Sequence, residues 1–286
     1  QALNIVVEQI NSTDKDQISL LASPSSTTEE FYLLSKIADG LGVNNLDHRL
    51  RRTDFSDQDN DPIAPWLGTS ISDIESCKSI ILIGSDIRKE APIIAHRIRK
   101  SALNGSQVSF INSEFSDYFF DVSSYMTDDI LESLCTLMRA LKIKLSNGAA
   151  SIESSMSKSD DSEAIAKSLS SEGDNLILLG HEAINHPQSS TIRYLASLIA
   201  KATDSKFGFV TEGSNTIGAC LTGITPHRGM SGTKRSEPGQ NTDTIKECDS
   251  KLTLLWNSEP NADIPNFADK KENDASVIAF SSHFTD

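Results

Sequence analysis

The chain reads as an α/β protein built on mainly parallel sheets, and two observations predict this. Almost wholly apolar runs, Ile18-Ser19-Leu20-Leu21-Ala22, Ile80-Ile81-Leu82-Ile83 and Leu176-Ile177-Leu178-Leu179, are separated by stretches with apolar residues at helical spacing. A strand with no polar alternation is buried on both faces, and crossover helices that cover both faces of a sheet accompany parallel pairing. The length of 286 residues suggests one large or two small domains at about 150 residues each.

The elements follow in order. Leu3, Val6, Val7 and Ile10 fall at helical spacing, and Ile18 to Ala22 reads as a buried strand. Thr27 or Thr28 can cap a helix with Glu29 and Glu30 in its first turn, where carboxylates meet unpaired N–H groups. Phe31, Leu34, Ala38 and Leu41 form its inner face, and Gly40 and Gly42 end it. The run Ile80 to Ile83 enters Gly84, Pro92 opens the next helix, and Asn104-Gly105 closes it. Gln107 to Ile111 is a strand, and Ile130, Leu131, Leu134, Leu137, Met138 and Leu141 give an amphipathic helix. Leu176 to Leu179 is a strand into Gly180, and Ile192, Leu195, Ala196 and Ile199 form a helix. Phe207 to Thr211, Leu252 to Trp256 and Val277 to Phe280 are further strands. Ser146 to Glu163 reads as a linker or mobile loop, and His227 to Lys246 holds turn signals without an apolar period.

In parallel sheets, ligands bind beyond the C-terminal strand ends. The candidate positions are therefore Gly84-Ser85-Asp86, Gly180-His181-Glu182, Thr211-Glu212-Gly213 and Asn257-Ser258-Glu259-Pro260.

Composition excludes several classes of function. The net charge of −14 argues against nucleic acid and anionic membranes, since phosphates need Lys/Arg fields. No apolar run approaches the roughly 20 residues of a membrane span, and no secretory leader is visible. Both ends look cut. Cys77, Cys135, Cys220 and Cys248 lack zinc and iron–sulfur spacing and fit a reducing compartment as buried thiols. No GxGxxG joins a strand to a helix, and no Walker lysine is present. His181 and His186 are five apart, about 140° around a helix, where the HExxH zinc motif needs about 40°. Asp57, Asp59 and Asp61 alternate like a calcium loop, but Pro62 stands where the loop glycine belongs. Arg49, Arg51, Arg52, Arg97, Arg99 and Lys100 could hold phosphates or pair with acidic neighbours, and pairing is the favoured reading.

Several segments match one family. Ser23 to Leu34 (SPSSTTEEFYLL) resembles the helix entry of molybdopterin-dependent oxidoreductases of the formate dehydrogenase type, and Gly42 to His48 (GVNNLDH) resembles the strand and turn before their metal ligand. Leu46 to Arg51, Gly84 to Pro92, Glu212 to Ala219 and Gly223 to Arg228 are closer still to the G subunit of bacterial NADH-quinone oxidoreductase, respiratory complex I. The resemblance runs from about Ala2 to His283.

It implies Rossmann-like parallel sheets in two interleaved lobes, with 1–54 and 165–286 forming one and 55–164 inserted as the other. It implies a vestigial cofactor groove at Gly84, Ser85, Asp86, Gly180, His181, Glu212, Gly213, Asn215, Asn257 and Glu259. Counting from Gly42, the family's cysteine or selenocysteine ligand falls on Thr53, whose hydroxyl is a poor substitute for a thiolate, with Asp54 as the fallback. The resemblance therefore implies a structural, non-catalytic domain with no metal and no molybdopterin. Iron–sulfur clusters belong to an N-terminal region outside this chain. Its implied partners are the flavin and iron–sulfur subunits of the complex, on the cytoplasmic face of the bacterial plasma membrane, without insertion. An active molybdopterin enzyme with Asp54 as metal ligand and His48 or Arg51 as substrate groups is the alternative. A free-standing nucleotide-binding module is a third reading.

Overall fold

The computed structural model describes residues 1–144, 159–247, 250–267 and 275–282. The chain divides into two compact units, residues 1–65 with 212–286, and residues 66–211. The first unit opens with α1 (Ala2–Ser12), β1 (Ile18–Ala22), α2 (Thr28–Leu41) and β2 (Leu46–Asp47). The second unit contains β3 (Ser79–Ile83), α3 (Ile87–Glu90), α4 (Pro92–Leu103), β4 (Gln107–Ile111), β5 (Ser124–Met126), α5 (Ile130–Ala140), α6 (Asp160–Leu169), β6 (Asn175–Leu179), α7 (His181–Ile184), α8 (Ser189–Ala202) and β7 (Lys206–Phe209). The chain returns to the first unit with α9 (Thr216–Thr222), α10 (Thr242–Glu247), β8 (Leu252–Trp256), α11 (Pro260–Asp263) and β9 (Ser276–Phe280).

Among the described residues, each unit has one all-parallel sheet. The strand order is β2-β1-β8-β9 in the first and β5-β4-β3-β6-β7 in the second. The α/β parallel class read from the apolar runs is therefore the fold. Both orders reverse direction at one place, between β1 and β8 and between β3 and β6, and a crevice at such a reversal is where ligands bind in open parallel sheets.

Period-two alternation sends the strands of the second unit to two cores. Ile81, Ile83, Ile111, Ile177 and Leu179 pack with α5, α6 and α8. Ile80, Leu82, Val108, Phe110, Leu176 and Leu178 pack with Ile94, Ala95 and Ile98 of α4. In the first unit, Ile18, Leu20, Ala22, Leu252 and Leu254 meet Phe31, Leu34 and Ala38 of α2, while Leu21 and Leu255 meet Leu50, Ile245, Ile264 and Phe267 on the other face.

The structure differs from the sequence reading at several places. The inserted unit runs 66–211 rather than 55–164, because β6 pairs with β3 and β7 with β6 instead of joining the β1 sheet. The cap of α2 is Thr27, in a reciprocal box: Glu30 N donates to Thr27 Oγ1 at 3.2 Å and Thr27 N donates to Glu30 Oε2 at 2.8 Å. Leu41 is exposed rather than on the inner face. Residues 160–163, read as linker, are the first turn of α6, while 145–158 lie outside the described residues, as does Cys248. Within His227–Lys246 a short helix, α10, brings Ile245 fully into the core. Among the described residues, no helix is long and apolar enough to cross a membrane.

Candidate functional site

The ten strand-end residues expected to outline a groove fall into two sets of five, one in each unit. In the first unit they gather where β1 and β8 end. Asn257, left-handed at φ 50°, donates from Nδ2 to Ser26 Oγ at 3.2 Å and to Glu30 Oε1 at 3.1 Å. Asn215 donates from Nδ2 to the Ser26 carbonyl at 2.8 Å and to Thr28 Oγ1 at 3.1 Å, and its N–H donates to the Pro24 carbonyl. Gly213 has φ 74°, and a Cβ there would stand 2.7 Å from Pro24 Cβ, so the glycine permits this close approach. Glu212 pairs with Arg51 at 3.3 Å. Glu259 is exposed and offers its N–H to Asp263 at the head of α11. Ser258 is buried, with no hydrogen-bond partner for its hydroxyl. The hydrogen bond from Thr27 N–H outweighs partial burial and holds the Glu30 carboxyl below its usual range.

In the second unit the strand ends touch one another. A Cβ on Gly84, whose φ is 60°, would lie 2.4 Å from Ala183 N, and one on Gly180 would lie 2.3 Å from Ser85 Cβ. Ser85 Oγ donates to Glu90 Oε2 at 2.8 Å, and Asp86 N donates to Glu90 Oε1 at 2.9 Å. Asn112 exchanges two hydrogen bonds with the Ser85 backbone, at 2.9 and 3.0 Å, and Tyr118 donates its hydroxyl to the Ser85 carbonyl. Asp86 pairs with Lys89 at 2.7 Å. His181 Nε2 lies 3.3 Å from the Thr211 carbonyl. His181 is on α7 and His186 lies past its end, so the two histidines do not share a helix face. Among the described residues, no three His, Cys, Asp or Glu side chains are placed to hold a metal ion.

A third set, which in the sequence looks like scattered charges, forms a dense polar cluster in the first unit. The fully buried Asp47 carboxylate accepts from His48 N at 2.9 Å, Arg49 N at 3.1 Å, Arg49 Nε at 2.8 Å, Arg49 Nη2 at 2.9 Å and Thr242 N at 3.2 Å. Asp61 accepts from Arg49 Nη1 at 3.2 Å and, through both oxygens, from Arg52, with Nη2 at 3.1 Å. The Phe55 ring lies 4.7 Å from the Arg49 guanidinium carbon and 5.1 Å from that of Arg52. Arg228 donates to the carbonyls of Asp59 and Asp61 at 2.6 and 2.7 Å. His48 Nδ1 lies 2.7 Å from the Ile224 carbonyl, and Nε2 faces Cys220 Sγ at 3.7 Å.

Electrostatics follow from this burial. Burial acts to raise the Asp47 carboxyl, but the charge and hydrogen bonds of Arg49 outweigh it and bring the carboxyl down to about 2. Burial, followed by the charges of Arg49 and Arg228, lowers His227 to about 4, and neither of its ring nitrogens has a hydrogen-bond partner. Burial pushes the Cys220 thiol up to about 12, so it is no nucleophile near neutrality.

The basic spots resolve mostly into pairs. Arg49 and Arg52 take Asp47 and Asp61, Arg51 takes Glu212, Arg97 and Lys100 share Glu75, and Arg99 donates to the Phe119 carbonyl. The sequence signal for the cluster is the spacing of Asp47 and Arg49, two residues apart, which lets the Arg49 N–H and side chain both turn back onto the Asp47 carboxylate.

A model of the molybdopterin oxidoreductase family matches residues 1–286. The chain belongs to that family. Two curated relatives are formate dehydrogenase subunits. One is the alpha subunit of the F420-dependent formate dehydrogenase of Methanocaldococcus jannaschii, 32% identical over 116 residues that cover 39% of this chain and 17% of the relative. The other is the alpha subunit of F420-dependent formate dehydrogenase 1 of Methanococcus maripaludis, 26% identical over 120 residues that cover 41% of this chain and 18% of the relative. Each match thus spans less than a fifth of the curated relative. Among solved structures, the fold resembles a chain of the formyltransferase/hydrolase complex of Methylorubrum extorquens determined with methylofuran. The TM-score is 0.62 and the identity 15%, over 97% of this chain and 77% of that one.

Family membership raises the question of whether these residues fit a molybdenum centre. Thr53, where the sequence resemblance places the metal ligand, is an exposed threonine. The neighbouring Asp54 carboxylate accepts from Ser56 N at 3.0 Å and Ser56 Oγ at 2.6 Å, and its carbonyl accepts from Arg52 Nε at 2.7 Å. A neutral hydroxyl is a far weaker ligand than a thiolate, and the adjacent carboxylate is already engaged within its own turn. This donor set lacks the cysteine or selenocysteine that the resemblance expects at the metal position.

Proposed function

We propose that the chain is a structural, non-catalytic molybdopterin-oxidoreductase domain of the G subunit of a bacterial NADH-quinone oxidoreductase. One observation carries the reading: a hydroxyl, Thr53, stands at the ligand position, in a segment tied by Arg49 and Arg52 to carboxylates of the same chain. The ordered sequence motifs shared with that subunit support the assignment to the complex, and the internal engagement of Asn215, Asn257, Ser85 and Glu90 supports a scaffold role. In this reading the domain docks against the flavin and iron–sulfur subunits at the cytoplasmic side of the membrane and carries no electrons itself. The clusters lie outside this chain, and electron transfer from NADH to quinone belongs to the whole complex. The test is metal analysis of the intact subunit, purified with its partners from molybdate-replete cells. The expected result is iron with no stoichiometric molybdenum, and one molybdenum per subunit would overturn it.

The identity to formate dehydrogenase alpha subunits favours a second reading, the cofactor-binding lobes of an active molybdopterin oxidoreductase. Asp54 would then ligate the metal, with His48 or Arg51 beside substrate. Asp54→Ala would abolish turnover in that case, and unchanged turnover would dismiss it.

A further inference from the structure

The segment from Asp47 to Asp61 contains one short strand end and a single 3-10 turn, so little of it is held by repeating backbone hydrogen bonds. It nevertheless contains one carboxylate that is fully buried and two guanidiniums nearly so, with side-chain exposures of 11% for Arg49 and 10% for Arg52. These charges are arranged as an unbroken chain: Asp47 to Arg49, Arg49 to Asp61, Asp61 to Arg52, and Arg52 Nε onward to the Asp54 carbonyl across Thr53. Two acids balance two bases, and Phe55 lies against both guanidiniums. Such a cluster avoids leaving a desolvated charge only while all four members are in place.

Building on the non-catalytic reading, we infer that the Asp47–Arg49–Asp61–Arg52 cluster is a metal-independent clamp. It holds the 47–61 segment in a single conformation with no bond from a metal to residue 53. In a protein whose loop is tied by a metal–thiolate bond, one covalent-like link can order the segment. Here the ordering is distributed over ion pairs that reach Asp61 from Arg52, nine residues before it, and from Arg49, twelve residues before it.

The experiment is hydrogen exchange on the intact subunit produced in molybdate-free medium and verified free of molybdenum. The amides of His48, Arg49, Gln58, Asn60 and Asp61, each with an acceptor inside the segment, are expected to be protected in the wild type. Asp61→Asn and the milder Arg52→Lys, which keeps charge but loses the two-pronged contact, are expected to raise exchange there about tenfold or more, with β3 and β6 unchanged as internal references. If Asp61→Asn fails to fold, Arg52→Lys alone decides. A segment that exchanges like unstructured peptide in the metal-free wild type, or one indifferent to both substitutions, overturns the clamp. Molybdenum in subunit from replete cells would instead overturn the non-catalytic reading while leaving this result to stand or fall by itself.

Discussion

The strand ends of the second unit and the Asp47 cluster of the first are closed by different physics. Between β3 and β6, backbone meets backbone: Gly84, Gly180 and Ala183 approach so closely that no Cβ fits at either glycine. In the cluster, charge meets charge, with Asp47 and Asp61 neutralising Arg49 and Arg52 out of water. The first kind of closure depends on shape and is insensitive to pH. The second depends on the protonation of a few groups. A chain can therefore contain two families of fragile positions that respond to different perturbations.

Breaking the charge closure should have the largest effect. Asp47→Ala leaves Arg49 desolvated beside one remaining carboxylate and is expected to destabilise the protein by about 3–5 kcal/mol, read as a shift in urea midpoint; a change below about 1 kcal/mol would show that water reaches the site.

Acid should act next, and on the first unit. The folded-state value of His227, near 4, lies below its unfolded value, so the unfolded chain binds the proton first and stability falls as pH drops from about 6.5 toward 4. Asp47, at about 2 when folded, contributes stability that is full above its unfolded value near 3.8 and lost as pH falls through 2. The His227 limb is worth about 3 kcal/mol and the Asp47 limb about 2 kcal/mol. Replacing His227 with Phe should flatten only the upper limb, and an unchanged pH profile in that variant would show that another group titrates there.

Adding one methyl at Gly84 tests the shape closure. Gly84→Ala meets both a left-handed backbone and the Ala183 amide, for an expected loss of about 2–3 kcal/mol at any pH between about 5 and 8. Exchange of the β3 and β6 amides would report it, and a pH-dependent loss would contradict the contrast between the two closures.

Thr27→Ala removes one half of the α2 capping box and should cost about 1 kcal/mol. Arg51→Ala removes an ion pair whose arginine is half exposed, and should cost less than about 0.5 kcal/mol. A larger penalty at Arg51 would point to its second contact, the hydrogen bond from Nη2 to the Ala262 carbonyl at 3.0 Å, as well as the 3.3 Å pair with Glu212. Thermal melts of the two variants side by side would separate these small effects.

Much of the fold is legible because burial writes itself into composition. Ile80 to Ile83 and Leu176 to Leu179 admit no polar face, so they belong inside a covered sheet, and Pro92, Gly42 and Thr27 mark helix ends through backbone chemistry alone. The two-residue β2 and three-residue β5 carry too few residues for a period. α10 is hidden because Ile245 is its only fully buried aliphatic contact. The boundary of the inserted unit escapes the sequence for another reason. Local pattern says that Leu176 to Leu179 is a strand, but only pairing says which sheet it joins.

The site divides in the same way. Single residues and short periods suffice to establish a parallel α/β chain, glycines and small polar residues where its strands end, and a hydroxyl at position 53. They do not reveal that Arg49 and Arg52 converge on Asp61, or that Gly84 lies against Ala183. Nor do they reveal that Asn257 reaches back to Ser26 and Glu30, more than 200 residues earlier. Those contacts come into being only when the chain is folded, because charge balance and close packing are properties of pairs. Their partners are chosen by the register of the sheets and the path of the loops, neither of which is written in any local stretch of the chain.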